Sequence, residues 1–363
     1  MIYIVVFMSS IFFAWLAERS KDKGIIILCS VISILIPSIL GGLRAHGVGV
    51  DTIVYGRNTA LQALNSPNLA YFVENNRTEL GYKILTFYVM KTLEHENWCY
   101  FFYQLITNAC VYIGLWKHRK IAPITLSLFV FFMFFYNTIF SIMRQGMAAA
   151  IVFMGFDNVE HKKYMKFTLY VIVAALFHKS AVLTLVVIGA MHYVTTSKNI
   201  TQRILWCYAT IIFMIVFRPM MTFLTSQISS YAGYFLMSRL PPDVVATNSF
   251  NQHTILFIGP LLMFSLFYSG ASRVFGKDSI IFYYYNNIFI LTYIIFINML
   301  SYRALFYSMF ISIFNFSSIP SLVKEKNLKA TTAFIVITVL LIFWIKAFVF
   351  INIADTWPYR SIL

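Results

Sequence analysis

Apolar residues run in long unbroken stretches along this chain, and polar residues are confined to the gaps between them. The pattern predicts about twelve spanning helices, at approximately 2–16, 24–42, 98–116, 121–140, 143–157, 164–177, 179–194, 203–223, 254–270, 279–300, 302–318 and 330–350. Several are shorter than the roughly 20 residues that a bilayer core requires, so they draw on flanking polar positions. Backbone inside lipid must satisfy its own hydrogen bonds, which makes each span a helix. The expectation is an all-α polytopic integral membrane protein, with residues 1–363 as one transmembrane domain. Two gaps are long, 43–98 and 224–253, and loops of that length are commonly functional. The N-terminal run lacks a basic leader and a small-residue cleavage site, so it reads as a first span that is retained.

One segment of the first gap is ambiguous by pattern. "ELGYKILTFYVMKTLEHENW", Glu79 to Trp98, has helical apolar spacing but contains Lys83 and Lys91. It is either a span or an amphipathic helix lying on the membrane surface. Charge separates the two. With the segment on the surface, the basic loops "ERSKDK", "KHRK", "EHKKYMK", "TTSKNITQR", "SRVFGKD" and "VKEKNLK" all fall on one side, which the positive-inside bias makes the cytoplasm. With the segment spanning, they scatter to both sides. The surface reading puts both termini and both long loops outside.

Composition agrees. Of 363 residues, 60% are hydrophobic and 11% charged, and the mean hydropathy is +0.76, against roughly 25% charged in a soluble domain. The formal charge of +15 sits mostly in orienting loops, so no nucleic-acid partner is expected. The cysteines, Cys29, Cys99, Cys110 and Cys207, have no CxxC spacing and predict neither a disulfide framework nor a metal site.

The outer face then holds arginines where the charge bias disfavours them, and an anion to bind is the usual reason. "GGLRAHGVGVDTIVYGRN" brings Arg44, Asp51, Tyr55 and Arg57 together among glycines at the end of a span. It is either a diphosphate cradle of guanidinium and backbone donors or a solvated loop in which Asp51 pairs with Arg44 or Arg57. In "NTIFSIMRQGMAAAIVFMG", Arg144 and Gln145 open a helix of small residues that permits close packing. Arg144 either meets an anion at the helix N-terminus or snorkels to headgroups. His178 in "ALFHKSA" is either a general base, as histidine exchanges protons near neutral pH, or an ordinary interfacial histidine. Arg303 in "NMLSYRALFYS" offers a third guanidinium, and Arg239 lies in the second loop beside Tyr231 and Tyr234. HExxH, GxSxG, P-loop and DxD patterns are absent, so no metal and no cofactor is expected.

The order "R…GVGVDT…Y", "ELGY", "MRQGMAAAI", "FHKSA", and then the late "YRALFY" and "WPYRSIL", resembles the EpsG family of Wzy-type polysaccharide polymerases over nearly the whole chain. Ten residues separate Arg144 from Gly155, and ten separate His178 from Gly189, spacings similar to those of Wzy proteins and O-antigen ligases. Lys179 departs from the small polar residue usual after that histidine in the ligases. The resemblance implies a GT-C-like fold in a bacterial inner (cytoplasmic) membrane, with the active site facing outward. It implies a metal-independent glycosyltransferase that uses undecaprenyl-diphosphate-linked oligosaccharide as donor and acceptor, in company with a flippase and a chain-length regulator. On this reading Arg44, Arg144 and Arg303 hold the diphosphate. His178, Asp51 and Glu79 compete as base, with His178 favoured, and Tyr55, Arg57, Gln145 and Arg239 contact substrate. The alternatives are an O-antigen ligase, a lipid-linked oligosaccharide flippase and a membrane O-acyltransferase.

Overall fold

A computed structural model describes residues 2–197, 249–296 and 302–362, with scattered positions between 199 and 212. The predicted span 203–223, apart from single positions, and the loop 224–253 up to residue 248, with Arg239, lie outside the described residues. The described chain is nearly all helix, and its one pairing of extended backbone is an isolated bridge between Arg44 and Ser361. It divides into two compact units, Met1–Thr184 with Ala333–Leu363, and Leu185–Thr332.

The first unit opens with an antiparallel hairpin of α1 (Ile2–Arg19) and α2 (Lys23–Leu43), where the Asp22 carboxylate caps α2 by accepting from Ile25 N at 2.9 Å. Pro37 inside α2 has no N–H for the carbonyl of Ser33, four residues earlier. The Ser10 hydroxyl of α1 donates to that carbonyl at 2.7 Å instead. The helix therefore carries its proline with no orphaned acceptor, and the repair ties the two helices together. Next come α3 (Arg57–Asn65), α4 (Leu69–Asn75), α5 (Leu80–Leu93) and α6 (Glu96–Lys117). The chain continues through α7 (Ile124–Phe131), a π-turn and α8 (Asn137–Ser141), which form one long run, then α9 (Met143–Met154), α10 (Phe156–Glu160), α11 (Tyr164–Ala175) and a 3₁₀ turn, Lys179–Leu183.

The segment Glu79 to Trp98 is not one helix. Glu94 takes a left-handed conformation, φ 53°, and ends α5, and His95 caps α6. At 14 residues, α5 is about 21 Å long, too short for a hydrocarbon core of roughly 30 Å. It packs on α3, α4 and α6, with Phe87 stacked on Phe72 of α4, and Tyr82 and Thr86 meeting Tyr103 of α6. Its lysines serve that packing. Lys83 Nζ donates to the carbonyls of Val73 and Asn76, and Lys91 Nζ to that of Leu64. Each lysine thus meets the free carbonyls at a helix C-terminus, where the helix dipole favours a cation.

The second unit contains a π-turn (Leu185–Ala190), α12 (Met191–Thr195), α13 (Ser249–Leu266), α14 (Tyr268–Phe275), α15 (Ser279–Phe296), α16 (Tyr302–Ser317) and α17 (Ile319–Leu322). Helix α18 (Lys326–Trp344) begins there and returns to the first unit. Four described helices are long and apolar enough to cross a membrane, Ile2–Arg19, Lys23–Leu43, Ile124–Ser141 and Lys326–Phe350. A pair bent by 97°, Leu256–Leu266 with Tyr268–Phe275, makes five if it is one span. The protein is a helical membrane protein, and among the described residues four further apolar helices, Tyr164–Ala175, Lys179–Thr195, Ser279–Leu291 and Leu305–Ser317, are 10–17 residues long.

Connectivity in the first unit separates two ends. The ends carrying Arg19, Lys23, Lys117, Arg119, Lys120, Lys162 and Lys163 belong to three of the basic loops. That end is stitched by Lys117 to Asp157 at 2.9 Å and His118 to Glu160 at 2.8 Å. The opposite end gathers the start of α1, the end of α2, the starts of α6 and α9, the turn after α11 and the C-terminal tail. The candidate site forms at this second end.

Candidate functional site

The stretch after α2 folds as a turn held from several directions. Gly47 and Gly49 have φ of 95° and 88°, a region closed to most side chains. Gly49 also sits against the backbone of Phe140, where an added Cβ would lie 2.5 Å from the carbonyl oxygen. The Thr52 hydroxyl donates to the Gly49 carbonyl at 2.7 Å and accepts from Gly47 N at 3.2 Å. The glycines of "GVGVDT" therefore serve shape, and they deliver Asp51 to α9. Ile142, which precedes α9, has no side chain able to cap it. Asp51 Oδ2 accepts from Met143 N at 2.6 Å and caps the helix from 92 residues away. The same oxygen accepts from the Tyr55 hydroxyl. Asp51 is 7% exposed, and its Oδ2 is engaged by both α9 and Tyr55.

Arg44 is not at the surface. It is fully buried, between the rings of Tyr100 at 4.7 Å and Phe140 at 4.5 Å, with Nη2 on the Met143 sulfur. The residue expected to hold an anion at the outer face thus sits inside the fold. Aromatic faces attract a guanidinium and draw this one into the interior. The main chain at this point is fixed as well, because Asn97 Nδ2 donates to the carbonyls of Gly42 and Arg44.

Three expected residues do meet. Glu79, at the N-cap position of α5, does not cap its own helix. One carboxylate oxygen accepts from Arg144 Nη1 at 2.5 Å, and the other lies 3.2 Å from His178 Nδ1. The Arg144 guanidinium also lies over the Tyr55 ring at 4.4 Å. Burial works against the Glu79 charge, but the hydrogen bond from His178 and the Arg144 guanidinium outweigh it and hold the carboxyl at about 2. Glu79 is thus an anion that orients its neighbours, since so acidic a carboxyl is a poor proton acceptor. His178 is held by Nδ1, which leaves Nε2 for a further partner. All three side chains are partly exposed, at 22%, 9% and 17% for Arg144, Glu79 and His178.

Gly81 makes the meeting possible. Its N–H donates to the Leu176 carbonyl at 2.7 Å, and an added Cβ would lie 2.9 Å from that oxygen. The start of α5 therefore rests on the backbone just before His178. Gly81→Val is expected to cost about 1–3 kcal/mol by overpacking and to pull Glu79 off His178. Thermal unfolding in detergent measures the first effect and the chemical shifts of the His178 imidazole the second; a Gly81→Val protein unchanged in both overturns the assignment.

The other expected residues are dispersed. Arg57 is exposed and pairs with Glu96 at 3.5 Å, so it faces the start of α6. Gln145 is buried behind Arg144. Arg303 lies in α16 of the second unit, with its side chain outside the described residues. Cys29, Cys99 and Cys110 are free and buried. Among the described residues no group of three or more His, Cys, Asp and Glu gathers as metal ligands do. Sequence reasoning missed Gly81, Met143, Ser141 and Asn137, all of which fix the site's geometry. Only "ELGY" carried a local signal, a glycine in a helical start.

A sequence model of the EpsG family matches residues 25–361. No curated protein and no solved structure matches the chain.

Proposed function

The chain belongs to the EpsG family, and from that premise we propose that it is a Wzy-type polymerase joining oligosaccharide repeat units carried on undecaprenyl diphosphate. The family brings a polysaccharide-polymerase-like, glycosyltransferase-like function to a membrane protein. The finer reading rests on one observation above the others, the simultaneous engagement of Glu79 by Arg144 and His178.

In this reading the acceptor sugar's hydroxyl oxygen attacks the anomeric carbon of the growing chain. The bond from that carbon to the diphosphate oxygen breaks, and the lipid diphosphate leaves with the bonding pair. His178 Nε2 takes the hydroxyl proton. Glu79 holds the imidazole by Nδ1 and stabilises the imidazolium as it forms, the role a carboxylate plays behind a histidine base. Arg144 keeps donors free of Glu79, and these meet negative charge as it builds on the leaving diphosphate. Tyr55 stacks beneath Arg144 and fixes the plane of the guanidinium. Asp51 is a positioning residue, because its carboxylate caps α9. Arg303, Arg239 and Arg57 remain proposed partners for the diphosphate and the sugars, and Gln145 is a proposed contact from its buried place behind Arg144.

The positive-inside bias makes the lysine-rich end cytoplasmic. The site then faces outward, in the inner membrane of a bacterial cell, where lipid-linked units are presented by a flippase and where a chain-length regulator would act. A transporter carries its polar site near the midplane, whereas Glu79, Arg144 and His178 lie at one helical end. That placement supports the polymerase over the flippase.

Purified protein in liposomes, supplied with one lipid-linked repeat unit and no other acceptor, is expected to yield a ladder of products spaced by one unit. A ligase gives no ladder without its separate lipid acceptor, and an acyltransferase leaves chain length unchanged. Either result sinks the reading.

A further inference from the structure

The polypeptide breaks between α8 and α9 at Ile142, one residue before the helix that carries Arg144. A break at that point lets α9 swing unless something fixes it. Two hydrogen bonds do so, and they close a ring. Val50 N donates to Ser141 Oγ at 3.1 Å, and Met143 N donates to Asp51 Oδ2 at 2.6 Å. Val50 and Asp51 are adjacent, and Ser141 and Met143 flank Ile142, so the ring staples the turn to both sides of the break. Gly49 lies against Phe140 immediately beside it.

Ser141 has a second duty. Its hydroxyl donates to the Ala354 carbonyl at 2.5 Å. The oxygen therefore accepts from the turn while its proton goes to the C-terminal tail. The tail is itself anchored on the same elements. Asn137 Nδ2 donates to Thr356 Oγ1 at 2.9 Å, and Asn137 Oδ1 accepts from Trp344 Nε1 at 2.9 Å. The Tyr3 hydroxyl donates to the Thr356 carbonyl at 2.9 Å. Gly49 N donates to the Asp355 carbonyl and Ala45 N to the Arg360 carbonyl, each at 2.8 Å, and the Tyr359 hydroxyl donates to the Leu40 carbonyl at 2.7 Å. The tail thus crosses the turn that caps α9 and holds it along its length.

We propose that Ser141 is a positioning residue for transfer, the joint through which the C-terminal tail and the 44–51 turn set the place of Arg144. The inference rests on the proposed role of Arg144 in meeting the leaving diphosphate. A serine hydroxyl suits the joint because it accepts and donates at once. Alanine removes both links while leaving the helix intact, and threonine keeps the hydroxyl. The joint is therefore built from three stretches far apart in sequence, and residues 354–360 belong to it although none of them touches Glu79 or His178 in the contacts described.

The test compares Ser141→Ala and Ser141→Thr in the full chain, reconstituted with a lipid-linked repeat unit, with initial rates of the first transfer measured over substrate concentration. Ser141→Ala is expected to lower kcat about 10- to 100-fold, the effect of misplacing a charged group by about an ångström. KM is expected to stay within about twofold, and Ser141→Thr to restore most of kcat. Thr356→Val, which releases the tail from Asn137 without touching Ser141, is expected to move kcat in the same direction by less. A wild-type kcat in Ser141→Ala overturns the proposal, as does an equal loss in Ser141→Ala and Ser141→Thr. Arg144→Ala run alongside separates the two levels. If Arg144→Ala is active, the reading of the site falls; if it is inactive and Ser141→Ala keeps full kcat, only the joint falls.

Discussion

Arg144→Ala is expected to abolish long-chain product and to lower the rate of a single transfer by about 10²–10³-fold, the usual cost of removing one donor to a charge that builds in the transition state. The variant loses three things together. It removes the cation from Glu79, the stacking partner from Tyr55 and the donors offered to the diphosphate. Arg144→Lys separates them, because an ammonium keeps the charge but lacks the planar fork that spans two oxygens. It is expected to restore only a small part of the rate. Single repeat units should still reach the outer face in either variant, since translocation does not use this group. Polymer length on a gel and transfer rates in liposomes measure these outcomes. Normal long-chain product from Arg144→Ala removes the centre of the mechanism.

The second large effect is on the imidazole. His178→Gln is expected to lower turnover by about 10²–10⁴-fold, the range for loss of a positioned base. Glu79→Gln keeps the shape of the side chain but removes the negative charge that orients and supports the imidazole, and a loss within the same range is expected. The pH dependence distinguishes their roles. Glu79 is held at about 2 against an ordinary 4.5. A carboxyl depressed in the folded protein adds stability that is full above its unfolded value and is lost as pH falls through the folded one. The contribution of Glu79 is therefore complete above about pH 4.5 and disappears only towards pH 2. An acid limb in the rate profile above about pH 5 therefore does not belong to Glu79. Wild-type turnover in His178→Gln means that the base is not His178.

Sequence and structure agree best where the signal is local. "MRQGMAAAI" and "FHKSA" offered Arg144 and His178, and both lie in the cluster with Glu79 of "ELGY". Arg44 and Asp51 came from an equally strong signal, yet both turn inward. The pattern registered that charge gathers at the end of a span, but a guanidinium between two rings and one in a binding site look alike in one dimension. Asp51 was legible as a carboxylate near arginines. Its actual partner, the backbone N–H of Met143, carries no side-chain signal at all.

What the sequence determined by itself is that the chain is helical and built for lipid. Long apolar runs demand helices in lipid, and the distribution of lysines separates two ends that the first unit keeps apart. Lys83 and Lys91 left α5 ambiguous, the sidedness of the basic loops decided against a span, and the folded chain puts the two lysines to use on helix carbonyls. What only the tertiary structure decided is which of these groups touch. Glu79 stands 65 residues from Arg144 and 99 from His178, and Ser141 stands 213 from Ala354. Such meetings depend on the register of packed helices and on close approaches such as Gly81 against Leu176. Hydropathy is summed over neighbours in the chain, so it reports which segments suit lipid. Hydrogen-bond geometry is set to within fractions of an ångström by packing between distant segments, and it alone made Glu79 the joint between a guanidinium and an imidazole.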